Sequence, residues 1–168
     1  MLIPATAADA AEIAALHAAS WRIAYRGMLP DTFLDEQVDG ERLEFWSTRF
    51  NSTPQDRRLV LKAVRDGTLQ GFVCVLLDLE PEWGARLDNI HVRHEHKGTG
   101  IGYELFKAAR EWIARVEPGM AMHLWCIERN ETARRFYERQ GGVVAESASR
   151  HVAMGLYAPE LRYFWPRC

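Results

Sequence analysis

Three glycines alternate with other residues in Lys97-Gly98-Thr99-Gly100-Ile101-Gly102, between a strand-like run ending near Val92 and a helix-like run beginning near Gly100. Lacking Cβ atoms, such a segment can take positive φ and turn its N–H groups inward. The helix that follows adds unpaired amides and the positive end of its dipole. A cradle of that kind holds phosphate oxygens. Spacing excludes two nucleotide motifs. A P-loop needs Lys-Ser/Thr directly after its last glycine, where this chain has Tyr103 and Glu104. A dinucleotide fingerprint needs a glycine where Tyr103 stands.

Other side chains able to do chemistry lie nearby in sequence. His91, His94 and His96 crowd the same segment, but no acidic or cysteine partner stands at a recognisable ligand spacing, so no metal is expected. Asp88, His91 and His123 are candidate bases on strand-like runs. On strict alternation, Asp88 and His91 point to opposite faces. Glu80 and Glu82, in the loop before that strand, could hold a cationic substrate. Cys126 could serve as a nucleophile, but a cysteine within an apolar strand is better read as core.

The elements that must position these groups follow from pattern. Thr6 or Asp9 can cap a first helix with Ile13, Leu16, Ser20, Trp21 and Ala24 near one stripe, ended at Gly27. A short helix is predicted from Pro30, with Phe33 and Leu34, and another from Asp39, with Leu43, Phe45, Trp46 and Phe50. Arg57 to Val64 and Thr68 to Leu79 read as strands joined by Asp66-Gly67, which is hairpin turn chemistry. Ala85 to Val92 is the strand entering the glycine loop.

The run from Gly100 to Val116 carries Ile101, Leu105, Ala109, Trp112 and Ile113 on one helical face, closed by Pro118-Gly119. Met120 to Ile127 is then a strand, and the strand, helix and strand together require a parallel right-handed crossover. Asn130 can cap a last helix carrying Ala133, Phe136 and Tyr137 before Gly141-Gly142. Val143 to Ala148 and Leu161 to Trp165 read as strands, with Val152 to Tyr157 either extending the first or standing alone.

The chain has 168 residues, nearly half of them hydrophobic, enough for one domain with a real core, and it has no repeat or linker. A formal charge of −2 leaves no electrostatic footprint for nucleic acid or an anionic membrane. Cys74, Cys126 and Cys168 are odd in number, and two lie in apolar runs, which points to a reducing cytoplasm. The start lacks a signal-peptide pattern and no apolar run approaches a membrane span, so a soluble, unprocessed protein is expected.

Two ordered blocks now stand together. One is Leu87-Asp88-Asn89-Ile90-His91-Val92 running into Lys97 to Leu105, and the other is Asn130-Glu131-Thr132-Ala133-Arg134-Arg135-Phe136-Tyr137-Glu138-Arg139-Gln140-Gly141. Together they resemble the GNAT superfamily of acyl-CoA-dependent N-acetyltransferases, the first its pyrophosphate-binding motif and the second its Asn-x-x-Ala-x-x-Phe-Tyr helix. Trp21 to Pro30 is similar to the first helix and turn of many bacterial members. Lys97 replaces the usual Gln or Arg, and Gly142 stands where an aromatic commonly follows.

The resemblance implies an α/β fold, a single domain over 1–168, with a central mixed, mostly antiparallel sheet of six to seven strands flanked by helices. It implies acetyl-CoA as cofactor. Its pyrophosphate would lie on the amides of Gly98, Thr99, Gly100, Ile101, Gly102 and Tyr103 beside Lys97, and its pantetheine on the amides of Ile90 and Val92, with a donor near Ile90 or His91 polarising the thioester carbonyl. Tyr137 would protonate the leaving thiolate, and Asn130 would cap its helix beside the cofactor. Asp88 and His91 are the bases to weigh. Trp21, Tyr25 and Arg26 would border the acceptor. The implied reaction is direct acetyl transfer to a small-molecule primary amine; a peptide or protein amine, and a noncatalytic acyl-CoA sensor, are the rivals. Whether the protein works as a homodimer stays open.

Overall fold

Asp66 and Gly67 both take positive φ, 51° and 71°, and turn β2 (Arg58–Arg65) back onto β3 (Thr68–Glu80) as the dipeptide requires. The computed structural model describes residues 1–52, 54 and 57–168. With β1 (Leu2–Pro4), β4 (Gly84–Val92), β5 (Met122–Ile127), β6 (Val143–Ala153) and β7 (Leu156–Trp165), the hairpin forms a seven-stranded sheet of order β1-β2-β3-β4-β5-β7-β6. Every neighbouring pair is antiparallel except β4 with β5. Strand β1 was not expected, because so short an edge strand carries no alternation to read.

Helices cover both faces. On one, α3 (Ile101–Val116) buries Ile101, Leu105, Phe106, Ala109 and Ile113 against Val73, Val75, Leu87, Met122 and Leu124 of the sheet, and α4 (Glu131–Arg139) adds Tyr137. On the other, α1 (Ala10–Ala24) and α2 (Val38–Ser52) bury Ile13, Leu16, Trp46 and Phe50 against Val60, Leu69, Phe72, Cys74 and Leu76. Each large side chain removed from water is worth about 1.5–3 kcal/mol, which makes these two layers the main support of the fold. Among the described residues, no helix is long and apolar enough to cross a membrane.

Two expectations needed correction. The helices predicted from Pro30 and Asp39 are one continuous run, joined by a π-helical turn over Phe33–Gln37, because no breaker separates them. The wide turn lets Phe33, Leu34 and Val38 all bury beside Trp21. In the tail, β6 and β7 are longer than predicted, and Val152 to Tyr157 is the tip of their hairpin, turning at Met154 and Gly155 with φ of 43° and 74°. Pro159 inside β7 had hidden the strand's first half.

Gly142 explains itself. A Cβ there would come within 3.0 Å of indole atoms of Trp165, whose Nε1 donates to the Gln140 carbonyl at 2.9 Å. The ring found next to Gly142 therefore comes from β7 instead of from the position after Gly141.

Candidate active site

Strands β4 and β5 pair only at Ala85 with Met122 and Arg86 with His123, then part. Beyond Arg86 the sheet opens into a cleft of about 980 Å³. Arg93 N–H donates to the Gln70 carbonyl at 2.8 Å, so on alternating polarity His91 and Arg93 face β3 while the amides of Ile90 and Val92 face the opening. The cleft is lined along one flank by Ile90, His91, Val92, Lys97, Gly98, Gly100, Gly102 and Tyr103, and along the other by Asn130, Phe136 and Tyr137.

The glycine loop fits a phosphate group. Gly98 and Gly100 have φ of 82° and 90°, and nothing lies within 4 Å of where a Cβ would project from either. The helical ladder begins with Glu104 N–H donating to the Gly100 carbonyl at 3.0 Å, so the amides of Ile101, Gly102 and Tyr103 are the unpaired first turn of a sixteen-residue helix. Ile101 contributes only backbone, since its side chain is core, and Thr99 donates its hydroxyl to the His96 carbonyl at 2.7 Å. Neither of these side chains lines the cleft.

On the facing flank, Asn130 Oδ1 accepts from Ala133 N–H at 3.2 Å and caps α4. Tyr137 is 8% exposed, and burial raises its phenol well above the ordinary value, so the hydroxyl is a proton donor at any working pH. Cys126 is buried beside it, its thiol pushed up to about 12 by burial, the opposite of an activated nucleophile.

The other face of the opening departs from strict alternation. Cys74 pairs with Asn89 and Val75 with Leu87, so Asp88 is the extra residue of a β-bulge. As a result Asp88 and His91 share the α1/α2 face, correcting the expectation that they point apart. His91 Nδ1 lies 2.9 Å from Ser20 Oγ, its ring 4.3 Å from that of His17 and 5.4 Å from Phe72, and burial lowers it to about 3. Asp88 is fully engaged. Asn89 Nδ2 donates to Oδ2 at 2.9 Å, Arg49 lies 2.9 Å from the same oxygen, and Arg86 Nε lies 3.1 Å from Oδ1 as an ion contact not aimed for a hydrogen bond.

Glu80 is not free to hold a cationic substrate. It is the centre of an internal knot, 2.9 Å from Arg162, 3.3 Å from Arg86, 3.6 Å from Arg150 and 3.8 Å from His123. His123, wholly buried in that knot, is lowered to about 4, and Glu82 is exposed away from the cleft. Trp21 and Tyr25 line the cleft. Arg26 does not: it is exposed and pairs with Asp31 at 3.0 Å and Asp35 at 2.6 Å, bracing the turn after α1.

Sequence reasoning missed Ser20, Arg150 and Glu160 at the cleft. The signal for Glu160 was a lone carboxylate inside a half-buried strand, obscured by Pro159. The hairpin carrying Arg150 closes this end, with Ala153, Val152 and Leu156 packed on Ala18, Trp21, Leu29 and Leu34.

The sheet splits beside a glycine-rich helix start, with a protonated phenol across the gap. Residues 16–142 match the model of the acetyltransferase (GNAT) family, and the chain belongs to it. It is thus an acetyl-CoA-dependent acetyltransferase. A Mycobacterium tuberculosis protein named a probable N-acetyltransferase is 26% identical over 132 residues, 79% of this chain and 73% of that one. The fold is similar to that of PaiA N-acetyltransferase from Thermoplasma acidophilum, solved in complex with coenzyme A (TM-score 0.78, 18% identity, 98% of each chain). It is similar also to Arabidopsis thaliana NAA60 in complex with a bisubstrate analogue (TM-score 0.69, 16% identity, 98% of this chain and 96% of that one).

Proposed function

We propose that the protein moves an acetyl group to the primary amine of a small molecule, by direct attack with both substrates bound. The observation that carries the reading is the closed acceptor end. There the β6–β7 hairpin packs on α1 and the connection to α2, and Trp21, Tyr25, Phe45, Trp125 and Val152 surround the space before the cleft. A protein surface would need that end open.

Acetyl-CoA, when bound, supplies an activated acyl carbon and a sulfur leaving group. The amides of Gly98 and of Gly100 to Tyr103 hold its pyrophosphate, with the Lys97 ammonium nearby. The Ile90 and Val92 amides orient the pantetheine, and the one nearer the thioester meets the charge that develops on the carbonyl oxygen during attack. Asn130 keeps the start of α4 in place beside it. The Tyr137 hydroxyl protonates the departing sulfur. Trp21 and Tyr25 wall the acceptor.

The test is free-thiol release from acetyl-CoA with a panel of alkylamines, arylamines, amino acids and short peptides. Acceptor-dependent release with small amines and none with peptides is expected. Preference for peptides would shift the reading to a protein acceptor, and CoA binding with no release across the panel would make the protein a sensor.

A further inference from the structure

Attack on a thioester requires a neutral amine, whereas an alkylamine is an ammonium ion at neutral pH. Among the described residues three carboxylates line the cleft: Asp88, Glu131 and Glu160. Glu131 stands at the exposed start of α4, paired with Arg135 at 2.8 Å. Both oxygens of Asp88 are taken by Asn89, Arg49 and Arg86. Glu160 differs. Its Oε2 lies 3.3 Å from Arg150, and Oε1 accepts no hydrogen bond among the described residues.

Glu160 pairs with Ile127 where β5 ends, beside the opening. It shares the sheet face of Arg162 and Trp125, and Arg150 is stacked 4.2 Å over the Trp125 ring. That is the face of Asp88 and His91, opposite the one where Cys126 and Tyr137 are packed. The charged and titratable groups near it are Arg150 from β6, Arg86 and Asp88 from β4 and Tyr25 from the end of α1, with Cys126 of β5 on the opposite face. Burial holds its carboxyl above the ordinary glutamate value, which makes it a better proton acceptor than a solvated carboxylate.

Resting on the amine-acceptor reading, the geometry points to Glu160 as the base that takes the proton from the acceptor ammonium. The proton passes from nitrogen to the free carboxylate oxygen and on to water. The nitrogen–carbon bond then forms as the carbon–sulfur bond breaks. Tyr137 gives its proton to sulfur on the far side of the opening, and the second proton shed by nitrogen replaces it through solvent. Base and acid thus work from opposite faces of the split sheet.

The experiment compares wild type with Glu160→Gln and Glu160→Asp, using 2-phenylethylamine, an ammonium at pH 7, and aniline, which is neutral there. For 2-phenylethylamine, Glu160→Gln should lower kcat/KM about 100-fold or more at pH 7, with the deficit shrinking as pH approaches the amine's own pKa, while aniline changes less than about 3-fold. Glu160→Asp should restore part of the loss. Independently of turnover, the Glu160 carboxyl carbon signal in 13C-labelled protein, assigned by its absence in Glu160→Gln, should titrate above the ordinary glutamate value and shift when 2-phenylethylamine is added. Equal losses with both amines, or none with either, overturn the proposal and leave the amine reading intact. Acetylation of neither amine by wild type overturns the small-amine reading and this inference with it.

Discussion

Ser20 Oγ sits 2.9 Å from Nδ1 of His91, tying the last turns of α1 to the strand that borders the cleft. The contact fixes the imidazole against Phe72 and His17 and so sets that wall of the cleft. Ser20→Ala leaves a half-buried ring nitrogen without its partner, which should cost about 1–2 kcal/mol of stability, read as a lower urea midpoint at unchanged m-value. It should also raise the KM for the amine more than that for acetyl-CoA.

Three imidazoles are held neutral by burial: His17 well below its ordinary value, His91 at about 3 and His123 at about 4. Above about pH 6.5, folded and unfolded chains are both neutral at these sites and their contribution is fully present. As pH falls below that value, the unfolded chain binds protons that the fold refuses. Stability is then lost down to the folded values, at up to about 1.4 kcal/mol per pH unit for each imidazole. Urea unfolding between pH 7 and 5 should show the decline, and His17→Gln should flatten it.

Tyr137→Phe removes the proposed donor while keeping the ring that packs 5.6 Å from Tyr163. Turnover should fall by roughly 100-fold or more, with the affinity for CoA nearly unchanged. Single-turnover thiol release and calorimetric CoA binding check the two halves separately.

Gly100 has φ of 90°, where a side chain is strained. Gly100→Ala should cost about 1–2 kcal/mol locally and weaken CoA binding about 5- to 30-fold, with little change in kcat at saturation. Lys97→Met should weaken binding more modestly, by an amount that shrinks as salt rises, because an exposed charge near phosphates is screened.

A methyl group at Gly142 would meet the Trp165 ring, a rigid part of the core. Gly142→Ala should destabilise by about 1–3 kcal/mol. Adding Trp165→Phe should make the pair less destabilised than the sum of the two single changes, as a double-mutant cycle in urea would measure.

Much of the fold was legible because local chemistry agreed with it. Asp66-Gly67 announced the hairpin, and the apolar stripe from Ile101 to Ile113 announced a helix on a sheet. The run from strand through glycine loop to capped Asn130 helix announced the two flanks of the cleft. Illegible were β1, too short to show a period, and the first half of β7, masked by Pro159. The wide turn over Phe33–Gln37 was also hidden: no breaker interrupts the helix there, but the turn's width goes with packing against Trp21.

By itself the sequence determined the family, the glycine turn before α3 and the place of Tyr137 on a capped helix, since each rests on residues close together in the chain whose backbone preferences and spacing act locally. Tertiary structure alone decided which groups meet at the opening. The bulge at Asp88 rotated that carboxylate onto the face of His91 and into the grip of Arg49 and Arg86. The antiparallel pairing of β7 with β5 brought Glu160 from the far end of the chain to the place where the sheet divides. Such meetings depend on register and long-range pairing, which no local pattern of residues encodes.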